Sequence, residues 1–297
     1  MAKQILTGTA TALVTPFQKD GSIDYNSLKK LIEFQIENGI EAIVIAGSTG
    51  ESATLSAKEK MSLIVQSVEY CAGRVQLIIG TGSNNTQASI DMTLVAKEYG
   101  ANAAFLVAPY YNKPSQEGLF EHFRAIAEKV DIPQIIYNVP GRTGVNMLPE
   151  TQLKLAETCP NIFATKEASG DLEQIMQIIK YAPDGFKVLS GDDALALPVV
   201  AMGGSGVVSV ISNYAPKKFG DCIRLALKGK LAEAKKLHYE LFDLMQANFL
   251  ETNPIPVKAA MAMMGLVGEI YRLPLLPAKS ATKKKLKTEL QKAGFLK

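Results

Sequence analysis

Ile162-Phe163-Ala164-Thr165-Lys166-Glu167-Ala168-Ser169-Gly170 is the stretch on which the reading of this 297-residue chain turns. Ile162, Phe163 and Ala164 have the character of a short buried strand, and Ser169-Gly170-Asp171 then turns the chain into a helix. A lysine is thereby delivered to the carboxyl end of a strand, an odd place for a solvated cation. At the mouth of a barrel of strands it would be partly desolvated. Desolvation disfavours a charged amine, so Lys166 is a candidate Schiff-base nucleophile. The bland alternative is a surface lysine paired with Glu167, and the surrounding chain decides between them.

Outward from this unit the same strand-loop-helix pattern repeats. Before it come apolar runs at Thr9 to Val14, Ala42 to Ala46, Leu77 to Gly80, Ala103 to Val107 and Gln134 to Asn138. After it come Lys187 to Ser190 and Val207 to Val210. Helices are expected between them: Asp24 is a good N-cap for Leu28, Leu31, Ile32 and Ile36, and Ser56 with Glu59 forms a capping box. Eight apolar strands alternating with amphipathic helices predict an α/β fold, a (β/α)8 TIM barrel. A doubly wound open sheet is disfavoured, because no Gly-x-Gly-x-x-Gly follows the first strand. Past about Leu227 the pattern is purely helical, at Leu231 to Phe249, Pro254 to Met264 and Ser280 to Leu290. We therefore expect a barrel domain over 1–227 and a C-terminal helical extension over 228–297.

A formal net charge of +3 with interspersed signs predicts neither nucleic-acid nor membrane binding. Ala194 to Pro216 is uncharged and long enough to span a bilayer, but Pro198, Gly203, Gly204 and Gly206 interrupt it. Cys71, Cys159 and Cys222 are odd in number and widely spaced, which argues for buried thiols in a cytoplasmic enzyme. Met1 to Leu6 lacks the pattern of a secretory signal. His122 and His238 have no metal-ligand spacing, so neither a metal nor another cofactor is expected.

In such barrels the chemistry gathers in the loops after the strands. Ser48 and Thr49 fall there after the second strand, Tyr110 and Tyr111 after the fourth, Tyr137 and Arg142 at and after the fifth, and Gly191 after the seventh. A lysine nucleophile with a phenol and a guanidinium beside it fits a small keto acid and a second carboxylate. The motifs Gly47-Ser48-Thr49-Gly50-Glu51-Ser52, Pro109-Tyr110-Tyr111-Asn112-Lys113-Pro114, Tyr137-Asn138-Val139-Pro140-Gly141-Arg142-Thr143-Gly144, Lys166-Glu167-Ala168-Ser169-Gly170, Ser190-Gly191-Asp192-Asp193 and Asn253-Pro254-Ile255-Pro256-Val257-Lys258 carry a resemblance over nearly the whole chain. The sequence resembles the dihydrodipicolinate synthase family, within the pyruvate-dependent class I aldolases that also include N-acetylneuraminate lyase and keto-deoxy sugar acid aldolases.

The resemblance implies that Lys166 forms a Schiff base with pyruvate, whose enamine adds to L-aspartate 4-semialdehyde on the way to diaminopimelate and lysine. It makes Tyr137 the proton-transfer group, relayed through Ser48 and through Tyr111 of a neighbouring subunit in a dimer of dimers, a homotetramer. Thr49 would hold the pyruvate carboxylate, Arg142 the semialdehyde carboxylate, and Gly191 and Val208 would line the pocket. Two features depart from the family pattern. Ser48 stands where the synthases usually carry threonine. At the family's L-lysine effector site, Ser52, Ala53, Asn84 and Tyr110 remain, but Ala57, Lys60 and Ala88 replace the histidines and the glutamate. Weak or absent inhibition by L-lysine is therefore expected. The competing enzyme reading is a sialic acid or sugar acid aldolase using the same lysine. Two readings of other classes are a phosphate-binding barrel, with Gly203-Gly204-Ser205-Gly206 as its cradle, and a barrel that serves as a non-catalytic scaffold.

Overall fold

A computed structural model describes residues 6–297. Eight parallel strands close on themselves in chain order: β1 (Gly8–Ala12), β2 (Ala42–Ile45), β3 (Gln76–Gly80), β4 (Ala103–Val107), β5 (Gln134–Asn138), β6 (Ile162–Glu167), β7 (Lys187–Ser190) and β8 (Gly206–Ser209). Helices cover the outside, as expected from strands that are apolar on both faces. Their starts follow the local sequence. The Asp24 side chain accepts from the Ser27 amide, and Ser56 and Glu59 form the reciprocal capping box. Asp171 caps the helix Leu172–Tyr181 through the amides of Glu173 and Gln174.

The barrel interior is filled by small residues, Ala10, Ala12, Ala42, Ala103 and Ala164 among them, which leave room for the rings of Phe105 and Tyr137. β6 extends past the apolar run into Thr165, Lys166 and Glu167, because ladders on both sides continue that far. Its pairing with β5 slips by one residue: Ile162 lies opposite Gln134 but Ala164 opposite Ile135, so Phe163 is the extra residue of a bulge. The slip sets Lys166 opposite Tyr137.

The uncharged stretch from Ala194 is divided between the short helix Asp193–Ala201 and β8, and no helix among the described residues is long and apolar enough to cross a membrane. The glycines before β8 sit at its amino end, away from Lys166, and they serve close packing. A Cβ on Gly206 would lie 1.9 Å from the Gly8 carbonyl oxygen, so glycine there permits the close approach of β8 to β1.

Past Leu227 come the helices Leu231–Ala247, Ile255–Met263 and Ser280–Lys292. Leu241, Val257 and Leu286 share one apolar cluster with Leu13, Ile43 and Ile79 of the barrel. A buried ion pair fastens the same seam. Lys258 Nζ donates to Glu51 Oε1 at 2.6 Å, to the Thr15 carbonyl at 3.0 Å and to the Ile270 carbonyl at 2.7 Å, and both charged side chains are fully buried. All three ammonium protons are thus used, as burial of a cation demands. Lys258→Ala would strand the Glu51 carboxylate without its counter-charge. Such a loss is expected to cost about 3–5 kcal/mol, read as a lower urea midpoint; an unchanged midpoint would contradict this account of the seam.

Candidate active site

β5 and β6 place Tyr137 and Lys166 side by side at their carboxyl ends, with both side chains turned into the barrel. Lys166 is 6% exposed. Its Nζ lies 4.3 Å from the centre of the Tyr137 ring and 5.6 Å from that of Phe105, and those two rings stack at 4.9 Å. No described residue offers Lys166 a hydrogen bond or an ion pair. Its neighbours are aromatic faces, which attract a cation weakly and leave the nitrogen lone pair of a neutral amine free.

Glu167 is not its partner. Adjacent strand residues point to opposite faces, and the Glu167 carboxylate lies outside the barrel among four donor groups. It accepts from Asn138 Nδ2 at 3.1 Å, Gln152 Nε2 at 2.8 Å, Gln174 Nε2 at 3.0 Å and the Ser169 amide at 2.8 Å. Thr165 is held in the same layer by Gln152, so the strand end is fixed from behind and Lys166 is left unencumbered in front.

The turn after β2 brings Ser48 and Thr49 to the same mouth. The Gly47 carbonyl accepts from the Gly50 and Ser52 amides, and Glu51 adopts a left-handed φ of 54°, held by Lys258. Thr49 Oγ1 accepts from Asn253 Nδ2 at 2.9 Å, and the Asn253 carbonyl accepts from Arg142 Nη2 at 3.1 Å. Asn253 Oδ1 is buried with no partner. Arg142, on the one-turn helix Pro140–Thr143, is exposed and has no carboxylate beside it among the described residues. Gly191 closes another wall; a Cβ there would lie 2.4 Å from the Ala168 Cβ.

These residues surround an inner cavity of about 130 Å3, lined by Ser48, Thr49, Tyr137, Arg142, Lys166 and Gly191. Through Ser48, Tyr137 and Arg142 it opens into an outer cavity of about 360 Å3. Val208 is not part of either wall: it belongs to the packed barrel interior one layer down, and Val210 lines the inner cavity at that edge. The reason is depth: Val208 lies within β8, whereas Val210 stands just past the strand's end, where the chain turns at the mouth. Tyr111 also lies outside its own chain's cavities. It is 89% exposed, with a left-handed φ of 71°. Of the effector positions, Ser52, Ala53 and Tyr110 line the outer cavity, while Asn84 lies off it with its carbonyl accepting from Asn112 Nδ2.

Two residues that lie in the quoted motifs but were given no role there also matter. Asn253 joins Thr49 to Arg142 from the far end of the chain. Asp193, fully buried, accepts from the Val210 amide at 3.0 Å and the Ile211 amide at 2.7 Å, tying the loop after β7 to the loop after β8. Burial, partly countered by those donors, pushes its carboxyl up to about 6. The signal for Asp193 was an Asp-Asp pair opening a helix, and that for Asn253 its place at the head of the Asn253-Pro254-Ile255-Pro256-Val257-Lys258 motif.

A (β/α)8 barrel carrying an unpaired, buried lysine at the strand ends, beside a phenol and above a two-part cavity, has the construction of a class I aldolase-type lyase. A model of the dihydrodipicolinate synthetase family matches residues 5–293. The 4-hydroxy-tetrahydrodipicolinate synthase of Chloroherpeton thalassium is 46% identical over 296 residues, covering 100% of this chain and 98% of that one. The synthase of Koribacter versatilis is 50% identical over 293 residues, covering 98% and 97%. The crystal structure of the Aquifex aeolicus dihydrodipicolinate synthase superimposes with a TM-score of 0.96 at 46% identity, covering 98% and 99%. The chain belongs to the dihydrodipicolinate synthetase family.

The raised Asp193 carboxyl carries a pH signature. A native carboxyl that holds its proton more tightly than the unfolded chain loses stabilisation as pH rises, here between about 4 and about 6. The stability advantage of the wild type over Asp193→Asn should therefore shrink across that window, by on the order of 1–3 kcal/mol. Urea unfolding at pH 4, 5, 6 and 7 measures it, and an advantage that grows instead would mean the backbone donors outweigh burial.

Proposed function

We propose that this enzyme condenses pyruvate with L-aspartate 4-semialdehyde to give 4-hydroxy-tetrahydrodipicolinate, in the diaminopimelate route to L-lysine. The observation that carries the reading is that Lys166 and Arg142 line one cavity: a buried amine and an exposed guanidinium, neither with a carboxylate partner among the described residues.

The Lys166 amine adds to the pyruvate carbonyl, water leaves, and the resulting iminium loses a methyl proton to give the enamine. The enamine carbon attacks the semialdehyde aldehyde, regenerating the iminium and leaving a hydroxyl; the semialdehyde's own α-amino group, after losing a proton, adds to the iminium carbon and expels the Lys166 amine as the ring closes. Tyr137, against the Lys166 amine, carries the protons, with Ser48 as the next hydroxyl in the same cavity wall. Thr49, oriented by Asn253, receives the pyruvate carboxylate, together with amides of the Gly47–Glu51 turn. Arg142 holds the second carboxylate with two parallel hydrogen bonds.

Tyr111 projects from its own subunit, which fits a role in the cavity of a second copy and a homotetramer built as a dimer of dimers. Three free, buried cysteines fit a cytoplasmic setting. A sugar acid aldolase would use the same lysine, but its polyhydroxylated aldehyde has no carboxylate for Arg142.

Purified protein is expected to consume pyruvate with the semialdehyde and not with N-acetylmannosamine, and Lys166→Ala should abolish both turnover and borohydride trapping of pyruvate. Arg142→Ala should lower kcat/KM for the semialdehyde by about 10- to 100-fold, the worth of one charged hydrogen-bonded contact, and leave pyruvate trapping intact. Turnover with the sugar alone would overturn the substrate assignment. L-lysine, facing Lys60 and no added carboxylate, should not reach half-inhibition at submillimolar concentration in the same assay.

A further inference from the structure

The inner and outer cavities meet at a junction floored by an aromatic ring. Ser48, Phe105, Tyr137, Val139 and Arg142 belong to the walls of both. Of these, Phe105 and Val139 carry wholly apolar side chains. Val139 stands past the end of β5, whereas Phe105 lies within β4, one inward position below Val107, which pairs with Tyr137. Phe105 is therefore the deeper of the two.

The ring is held where it is. Phe105 is 4% exposed, stacks on Tyr137 at 4.9 Å with 21° between the planes, and has Lys166 Nζ 5.6 Å from its centre. Its carbonyl accepts from the Thr81 and Gly82 amides at 3.0 and 3.3 Å, which pins its backbone to the chain leaving β3. Ala12 and Val44, which line the inner cavity from β1 and β2, are small by comparison.

The chemistry puts the reacting carbon at this junction. Pyruvate joined to Lys166 occupies the inner cavity, the semialdehyde enters through the outer one, and the new bond forms between them. The nucleophilic carbon of pyruvate carries only hydrogens. A longer keto acid would carry an alkyl group on that carbon, and with the aldehyde arriving on the outer side, this group is turned toward the floor. There it meets a packed ring with no room to retreat, and forcing a methyl group into such surroundings is unfavourable.

We infer that Phe105 is a specificity-determining residue, which restricts the keto acid to one whose nucleophilic carbon is an unsubstituted methyl. The inference rests on the condensation reading and deepens it.

Initial rates with pyruvate and with 2-oxobutanoate, at saturating semialdehyde, test this on the full-length chain. Wild-type kcat/KM is expected to favour pyruvate at least about tenfold, the worth of one misplaced methyl group. Phe105→Leu and Phe105→Ala should each narrow that preference, the alanine variant by about tenfold. Borohydride should still trap pyruvate on Lys166 in both, showing that they fold. Equal use of the two keto acids by wild type, or an unchanged preference in both variants, would overturn the inference. So would variants that trap pyruvate but turn over neither keto acid, since the ring would then serve only to seat Tyr137. Wild-type protein inactive with pyruvate would instead overturn the condensation reading, and this inference with it.

Discussion

One extra residue in β6 sets the chemistry of this barrel. Side chains alternate along a strand, so a slip of one position exchanges every inward residue for an outward one. Ile162 faces the surrounding helices with Ile136, yet Ala164 faces the barrel with Ile135, and the change of face is absorbed at Phe163. Beyond the bulge Lys166 points inward opposite Tyr137 and Glu167 points outward opposite Asn138. In the register without the bulge, Thr165 would stand beside the phenol, and the lysine would be buried among helices. The outward network on Glu167 makes the slip hard to reverse, since a carboxylate with four donor groups would have to be desolvated anew against apolar alanines.

The helices past Leu227 act on the site through the same logic of satisfied charge. Glu51 must adopt a left-handed backbone to end the turn that presents Ser48 and Thr49, a conformation that costs an ordinary residue of order 1 kcal/mol or more. What holds it there is Lys258, delivered from a helix 207 residues away in sequence. Asn253, just upstream of that helix, reaches both Thr49 and Arg142. The segment past Leu227 therefore helps to build the candidate site as well as the core.

This division explains what could be read in advance. The strands were legible because each is a short apolar run with helical periodicity on either side, and β4, β5 and β7 fall where those runs lie. The ends of β1 and β8 differ by a residue or two, since ladder pairing, not hydrophobicity, stops them. The placement of Lys166, Tyr137, Ser48, Thr49, Arg142 and Gly191 around one cavity was legible because polar residues and turns at strand ends stand out against such runs. The depth of Val208 was not, because depth along a strand has no periodic signal. Nor were the Phe163 bulge and the reach of Asn253, which depend on pairing between strands and on contacts across nearly the whole chain.

Arg142 shows how little the fold itself asks of some of these groups. Its single hydrogen bond runs to a backbone carbonyl, it is exposed, and no carboxylate among the described residues neutralises it. An arginine serving stability would be expected to find an acid, as Arg74, Arg124, Arg224 and Arg272 all do here. Folding energetics gives no account of a guanidinium kept unpaired at the rim of a cavity. The proposed recognition of a carboxylate from solution would account for it, because an internal acid would have to be displaced before any substrate could bind, at the expense of affinity. The same reasoning separates Lys166 from Lys258: the first is left without a partner in the wall of a cavity, and the second spends every proton on the fold.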